Sequence, residues 1–389
     1  MSLRPTEAVP ARTGTSLLYA LLAQLRQYTD GVNLGRGDPD FATPSHILDA
    51  VRAALDAPER ELGDASRLRA NLCEAIAARL RRINGIQVDP QTEIVLTQGG
   101  QEALFLMVQT ALAPGDEVLV PEPNYNTYAD AIRFAGAVRV PVATSVEEHF
   151  AVDPEKVRAA ITPATRAIVM VSPNNPSAAV LSPDQVKALA ALAEQHDLLV
   201  LADDIYDRFL YDGAVHTSPA SLPGMKARTL TLNALSKAYA MTGWRLGWVA
   251  GPAPLMAQLR RVKEATSGGV STLSVRAGIA ALTGPEEPLL EMHAAYTRRR
   301  RIVLDALDSA GFRYGIPQGG QFVLADMRRL GLSSLDLARR ILEETHVLIY
   351  PGVSFGEAWD GFMRITFLQP EPVLQDALAR VVHALSALG

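Results

Sequence analysis

Apolar positions recur along this chain with two periods, and the alternation between them predicts an α/β protein. Leu17, Leu18, Leu21, Leu22 and Leu25 fall at helical spacing, interrupted by Gln24 and Arg26, which predicts an amphipathic helix and not a signal peptide. After Pro44 the same step carries Ile47, Val51 and Leu55, and Leu68, Leu72, Ile76 and Leu80 form the stripe of a helix over 68–83. Then the period changes. Short, continuous apolar runs at 94–97, 117–120, 167–172 and 198–202 have the length of strands buried on both faces, with helical segments such as 103–112 and 183–196 between them. Strands alternating with helices predict a mostly parallel sheet covered on both sides, a three-layer fold. Its ligands sit beyond the carboxyl ends of the strands.

Past residue 251 the character shifts. Helical segments over 252–282, broken by Ser267-Gly268-Gly269 and Ser271, and over 288–310 lead into strand-like pieces at 320–324 and 363–367, separated by a helix at 334–345. This predicts a smaller α+β domain that the first part of the chain joins. The expected division is a large domain at 45–285 and a small one made of 1–44 and 286–389. No internal repeat or low-complexity tract interrupts either.

Composition narrows the function. A chain of 389 residues, 48% hydrophobic and 20% charged, buries a substantial core and belongs with soluble globular proteins. Its net charge of −5, with no concentrated basic face, argues against a nucleic-acid partner. Arg298 to Arg301, the one strong basic run, is expected on the solvated side of its helix. The single cysteine, Cys73, excludes an intrachain disulfide and fits a reducing compartment, so a cytoplasmic location is expected. The seven histidines lack metal-ligand spacing, and no metal site is expected. No apolar run approaches the ~18 residues that cross a bilayer, so no membrane partner is expected.

The chemistry gathers around 231–248. Lys237 follows an apolar run, flanked by Leu235, Ala238 and Tyr239, with Ser236 beside it and Arg245 eight positions on (245 − 237 = 8). Desolvation lowers the pKa of an amine toward the range in which it attacks carbonyls. Ser236 and Arg245 offer one neutral and one charged donor for a nearby phosphate. Together they suggest pyridoxal 5′-phosphate, an aldehyde that carries a phosphate. A Ser-Lys pair alone also suits an exposed helix, with Arg245 in a structural ion pair. Position favours the chemical reading, because Gly100, Tyr125, Asn175, Asp203 and Lys237 all fall at the carboxyl ends of expected strands. Gly99-Gly100 before a helix makes an anion site or simply a tight turn. Tyr125 is placed to stack on a flat ring. Asp203 or its neighbour Asp204 serves as a helix cap if neither has another role. Upstream, Gly35 and Gly37 permit positive φ and close backbone approach.

Seven motifs occur in order: Gly-Asp-Pro-Asp-Phe-Ala-Thr-Pro at 37–44, Thr-Gln-Gly-Gly-Gln-Glu-Ala-Leu at 97–104, Ser-Pro-Asn-Asn-Pro-Ser at 172–177, Ala-Asp-Asp-Ile-Tyr at 202–206, Ser-Lys at 236–237, Gly-Trp-Arg-Leu-Gly at 243–247 and Met-Arg-Ile-Thr-Phe at 363–367. Over roughly residues 30–385 the chain resembles the fold-type I pyridoxal-phosphate enzymes, specifically the class I aminotransferases. The resemblance implies Lys237 as the Schiff-base lysine, Asp203 as partner of the pyridine nitrogen, and Asn175 and Tyr206 as donors to the ring's 3-oxygen. It also implies Tyr125 stacked on the ring, and the Gly100 and Gln101 backbone, Ser236 and Arg245 around the phosphate. Arg364 is implied as the fork for a substrate α-carboxylate, with Asn175 and the Gly37 backbone assisting.

The implied reaction is ping-pong transfer of an amino group between an L-amino acid and a 2-oxo acid, in a homodimer. Two other functions use a similar chain. One is a carbon–sulfur β-lyase with the same first proton abstraction; the other is a non-catalytic ligand sensor with an added DNA-binding module, for which the ~30 residues before the first motif leave little room. Two departures stand out. Relatives carry a tyrosine shortly before Leu68-Arg69 that reaches the neighbouring subunit's phosphate, and 58–64 contains none. The usual Thr-Gly after Asn-Asn-Pro is here Ser177-Ala178.

Overall fold

A computed structural model describes residues 13–56 and 65–387. The apolar runs form the strands of a seven-stranded sheet, in the order 94–97, 247–250, 229–234, 199–203, 165–171, 117–121, 138–142. Gly247–Ala250 is antiparallel to both its neighbours, and the remaining pairs are parallel. Side chains alternate between the two faces, as strand geometry requires. Val95, Val118, Val169, Leu201, Leu232 and Val249 enter one apolar cluster with the helices Gly100–Ala111, Thr127–Phe134 and Ala253–Thr266. On the opposite face, Ile94, Leu96 and Trp248 pack with the helices Ser45–Leu55, Ala65–Arg79 and Thr272–Thr283, while Ile168, Met170 and Val200 pack with Pro183–Gln195. Each fully buried Val, Leu or Ile contributes about 1.5–3 kcal/mol. The sheet is therefore the rigid element from which the loops project.

The chain divides into two compact units. The larger runs from Asp38 to Arg298 and takes back Gly315–Gln321; the smaller comprises the described residues up to Gly37, Arg299–Tyr314, and those from Phe322 on. The division falls at 37/38 and 298/299, where the hydrophobic pattern places it at 44/45 and 285/286. Side-chain contacts account for both shifts. Thr43 Oγ1 donates to the Ala240 carbonyl (2.9 Å) and accepts from Trp244 Nε1 (3.0 Å), which ties the segment before the Ser45 helix to the larger unit. The long helix Glu287–Ser309 spans the observed boundary at 298/299, and its first turns belong with the larger unit through Tyr296 against Phe209 and His293 Nε2 at 2.7 Å from the Leu210 carbonyl.

The smaller unit holds a four-stranded antiparallel sheet, ordered 350–351, 362–366, 322–326, 313–314, and a parallel pair joining Val32–Asn33 to Val347–Leu348. Two expectations are corrected by the structure. Arg299 and Arg300 are buried, not solvated; four consecutive helical residues sweep the full circumference at 100° each, so one run cannot keep to one face. Neither Gly35 nor Gly37 takes a positive φ. Gly35 is required for close approach instead, since a Cβ there would lie 1.9 Å from Tyr350 Cδ1.

Candidate active site

Four strands ending together create the site. Strands 117–121, 165–171, 199–203 and 229–234 run parallel, so their carboxyl ends share one edge of the sheet. Asp203 is the last residue of its strand, in register with Val171 on one side and Leu232 on the other, and it is buried. Its Oδ2 accepts from the Tyr128 hydroxyl at 3.0 Å and its Oδ1 from the Ile205 backbone N–H at 3.1 Å. Burial raises its pKa to about 7, aided by the negative charges of Asp204 and Asp207 and opposed by the two hydrogen bonds. Burial and the Asp203 charge push the Tyr128 phenol well above its ordinary value, so it remains a donor.

Lys237 sits in the single helical turn Leu235–Ala238 that follows strand 229–234 directly. Its Nζ lies 3.4 Å from Asp38 Oδ1, and both side chains are largely shielded. Ser236 is buried beside it. Arg245 takes left-handed backbone geometry, φ 51, and donates to the carbonyls of Thr242 (3.1 Å) and Gln98 (3.2 Å). This holds its guanidinium over Gly99, where an added Cβ would lie 2.7 Å from Arg245 Nη2. Gly99, at φ 81, precedes the helix Gly100–Ala111, whose N-terminus no side chain caps. The first backbone N–H groups, those of Gly100 and Gln101 among them, therefore point past the helix end with the positive end of its dipole. Gly100 is held against Ile205 and Ala234, which stand two residues along the chain from Asp203 and Ser236. The result is a helix end suited to an anion, on the same edge of the sheet as Asp203 and Lys237.

Tyr125 is half-buried, just beyond strand 117–121, and packs on the apolar cluster beneath the sheet. Asn175 is half-buried in the turn after strand 165–171, and Tyr206 is buried three residues beyond Asp203. Ala178 takes φ 61 and is fully buried. Arg364 and Gly37 belong to the smaller unit. There Arg364 is buried on strand Phe362–Thr366, donates from Nη2 to the Gly35 carbonyl at 2.6 Å, and stacks near the rings of Tyr350, Phe355 and Phe322 at 5.0, 5.1 and 5.3 Å. Aromatic walls dry the guanidinium and strengthen its attraction for a carboxylate. The 58–64 segment lacking a tyrosine lies outside the described residues.

Sequence reasoning passes over Tyr128 and Asp38. Tyr128 lies in the first turn of the helix Thr127–Phe134, its backbone N–H donating to the Tyr125 carbonyl at 3.0 Å, and a second aromatic so close to the strand end is a usable signal once that helix is known. Asp38 lies within the 37–44 motif but 199 residues from Lys237, and nothing local pairs them. Among the described residues no cluster of His, Cys, Asp and Glu has a metal-binding arrangement. No helix there is long and apolar enough to cross a membrane.

Residues 29–381 match the family model described as aminotransferase class I and II. The chain is 43% identical to the arginine–pyruvate transaminase AruH of Pseudomonas aeruginosa, over 95% of this chain and 94% of the relative. It is 39% identical to the aspartate/prephenate aminotransferase of Thermus thermophilus, over 92% of each. Its fold superimposes on the aspartate aminotransferase of Thermus thermophilus solved with maleate, with a TM-score of 0.89 and 36% identity, over 98% of this chain and all of that one. The chain belongs to the class I and II aminotransferases.

Proposed function

We propose that this enzyme transfers an amino group between an L-amino acid and a 2-oxo acid by a ping-pong route, with pyridoxal 5′-phosphate bound at the shared strand ends. The observation that carries this is Asp203, a buried carboxylate fixed by two donors at the sheet edge that also carries an uncapped helix N-terminus and a shielded lysine. The donor set fits the cofactor. Gly100 N–H, Gln101 N–H, Ser236 and Arg245 suit a phosphate dianion, and the raised pKa of Asp203 marks a carboxylate whose burial outweighs its two donors and that gains from a pyridinium.

When bound, the cofactor supplies an aldehyde to join the substrate amine and a ring that takes up the electron pair left at Cα. Lys237 would hold the aldehyde, and its free amine would serve as base and acid for the proton at substrate Cα. Asp203 would keep the ring nitrogen protonated. Asn175 and Tyr206 would hold the 3-oxygen, and Tyr125 would serve as the aromatic partner of the ring. Arg364 grips the substrate α-carboxylate in a bidentate fork, with Asn175 and the Gly37 backbone assisting.

The 43% identity to an arginine–pyruvate transaminase makes arginine with pyruvate the first pair to test. We further propose a cytoplasmic homodimer. The deciding experiment loads wild type and Lys237→Ala with cofactor, treats one portion of each with borohydride, and assays a separate, unreduced portion with a panel of amino donors against pyruvate and 2-oxoglutarate. Wild type is expected to gain one covalently held cofactor and to turn over; the variant does neither. Normal transamination by Lys237→Ala overturns the assignment, and thiol release from a cystathionine-like substrate without a 2-oxo acid overturns the reaction type.

A further inference from the structure

Behind Asp203 lies a second, buried layer of charge. The turn after strand 199–203 carries two more carboxylates, Asp204 and Asp207, both buried. Arg79, at the end of the helix Ala65–Arg79, donates from Nη2 to both Asp207 oxygens, at 2.8 and 2.9 Å, and from Nη1 to Asn84 Oδ1 at 2.9 Å. Asn84 Nδ2 reaches Asp204 Oδ2 (3.2 Å) and Asp207 Oδ2 (3.0 Å), and Asn233 Nδ2 donates to Asp207 Oδ2 (3.1 Å) and the Asp204 carbonyl (2.7 Å). His216 Nε2 stands 3.3 Å from Asp204 Oδ2, an ionic contact off hydrogen-bond alignment, with both side chains buried.

Counting charge gives each group a part. Asp203, Asp204 and Asp207 are three potential anions in one dry region, and the cations facing them are Arg79 and His216. Arg79 stays charged at every working pH. If His216 is also charged, the cluster is left with a single negative charge, the one a protonated ring nitrogen would meet. If His216 is neutral, two uncompensated negative charges remain side by side, and one must take up a proton.

We propose that His216 is a positioning residue: its imidazolium balances Asp204 and thereby keeps Asp203 ionised opposite the cofactor's ring nitrogen. This rests on the reading of Asp203 as the ring-nitrogen partner. The titratable groups around the imidazole are Asp204 and Asp207 from the turn and Arg79 from the helix. Tyr128 and Tyr239 are the phenols nearest Asp203 and Arg79. Burial alone would lower the His216 pKa, but the charge of Asp204 and its contact, with Asp207 adding, outweigh burial and the repulsion of Arg79, and the net shift is upward. Asp204 and Asp207 in turn raise Asp203.

The test is a cycle of His216→Gln, Asp204→Asn and the double variant in the full chain, with two readouts. In cofactor-free protein carrying ¹³C-labelled histidine, NMR titration is expected to show His216 titrating above an ordinary histidine, and Asp204→Asn to lower it by about one unit or more, the usual effect of an adjacent opposite charge. In protein loaded with ¹⁵N-labelled pyridoxal phosphate, at the pH where Asp203 and the ring nitrogen share one proton, the ring-nitrogen shift is expected to move toward the unprotonated value in His216→Gln, as the proton passes to Asp203, and toward the protonated value in Asp204→Asn. The double variant is expected to return close to wild type. A merely structural cluster does not produce opposite signs that cancel. An ordinary His216 titration, or a ring-nitrogen profile in His216→Gln that matches wild type, overturns the proposal. Should His216→Gln fail to fold, the wild-type and Asp204→Asn titrations still decide it. Should the chain bind no pyridoxal phosphate, the reading of Asp203 falls, while the histidine titration separately decides the His216–Asp204 couple.

Discussion

Replacing Asp203 with asparagine is expected to stabilise the cofactor-free protein while disabling the enzyme. The folded pKa of Asp203 is raised from 3.8 to about 7. Between those values the folded chain holds a proton that the unfolded chain has lost, so stability falls as pH rises through this window and the loss is complete above it. Three units at 1.36 kcal/mol each give a cost on the order of 4 kcal/mol above pH 7. Asparagine has no charge to bury. Its carbonyl still accepts from the Ile205 N–H, and the Tyr128 hydroxyl can turn to accept from its amide. The stability difference between Asp203→Asn and wild type is therefore expected near zero around pH 4, and to grow to several kcal/mol by pH 8. Urea unfolding of both cofactor-free proteins across that range, followed by fluorescence of Trp244, Trp248 and Trp359, measures it. Added pyridoxal phosphate is expected to favour wild type, because a pyridinium removes the cost of ionising the carboxylate. A stability difference that does not change with pH refutes the reasoning.

Three other substitutions probe neighbouring parts of the site. Tyr128→Phe removes a hydrogen bond to a carboxylate, worth about 1.5–3 kcal/mol, so Asp203 is expected to titrate one to two units higher; the pH profile of kcat should shift with it, and an unmoved profile rules that out. Gly99→Ala places a Cβ 2.7 Å from Arg245 Nη2 at φ 81. The displaced guanidinium and a strain of about 1–3 kcal/mol are expected to weaken cofactor binding roughly tenfold or more, as equilibrium dialysis would show. Arg364→Lys keeps the charge but loses the planar fork. We expect kcat/KM for the amino donor to drop on the order of 10²-fold, and an unchanged value removes Arg364 from the carboxylate site.

Reading the chain alone worked where chemistry followed directly from a local pattern. Strands buried on both faces appear as short apolar runs, and a polar residue that ends such a run, as Asp203 does, marks the ligand edge of the sheet. The same logic failed where half-exposed positions hid an element. The edge strand Val138–Val142 carries Arg139 and Pro141 and is largely exposed, so it lacks a continuous apolar run. Leu55 keeps the helical step yet is 58% exposed, while Ala54 beside it is buried. A stripe indicates a face, and packing decides where that face stops.

By itself the sequence determined the alternation of strands and helices, the lysine and arginine around the anion cradle, and the acid at the strand end, because each depends on neighbours within a few residues. Only the tertiary structure decided which charges share one dry space: Tyr128 with Asp203 across 75 residues, Arg79 with Asp207 across 128, Lys237 with Asp38 across 199. The physical reason is that electrostatic energy depends on distance and on exclusion of water, and chain order carries neither.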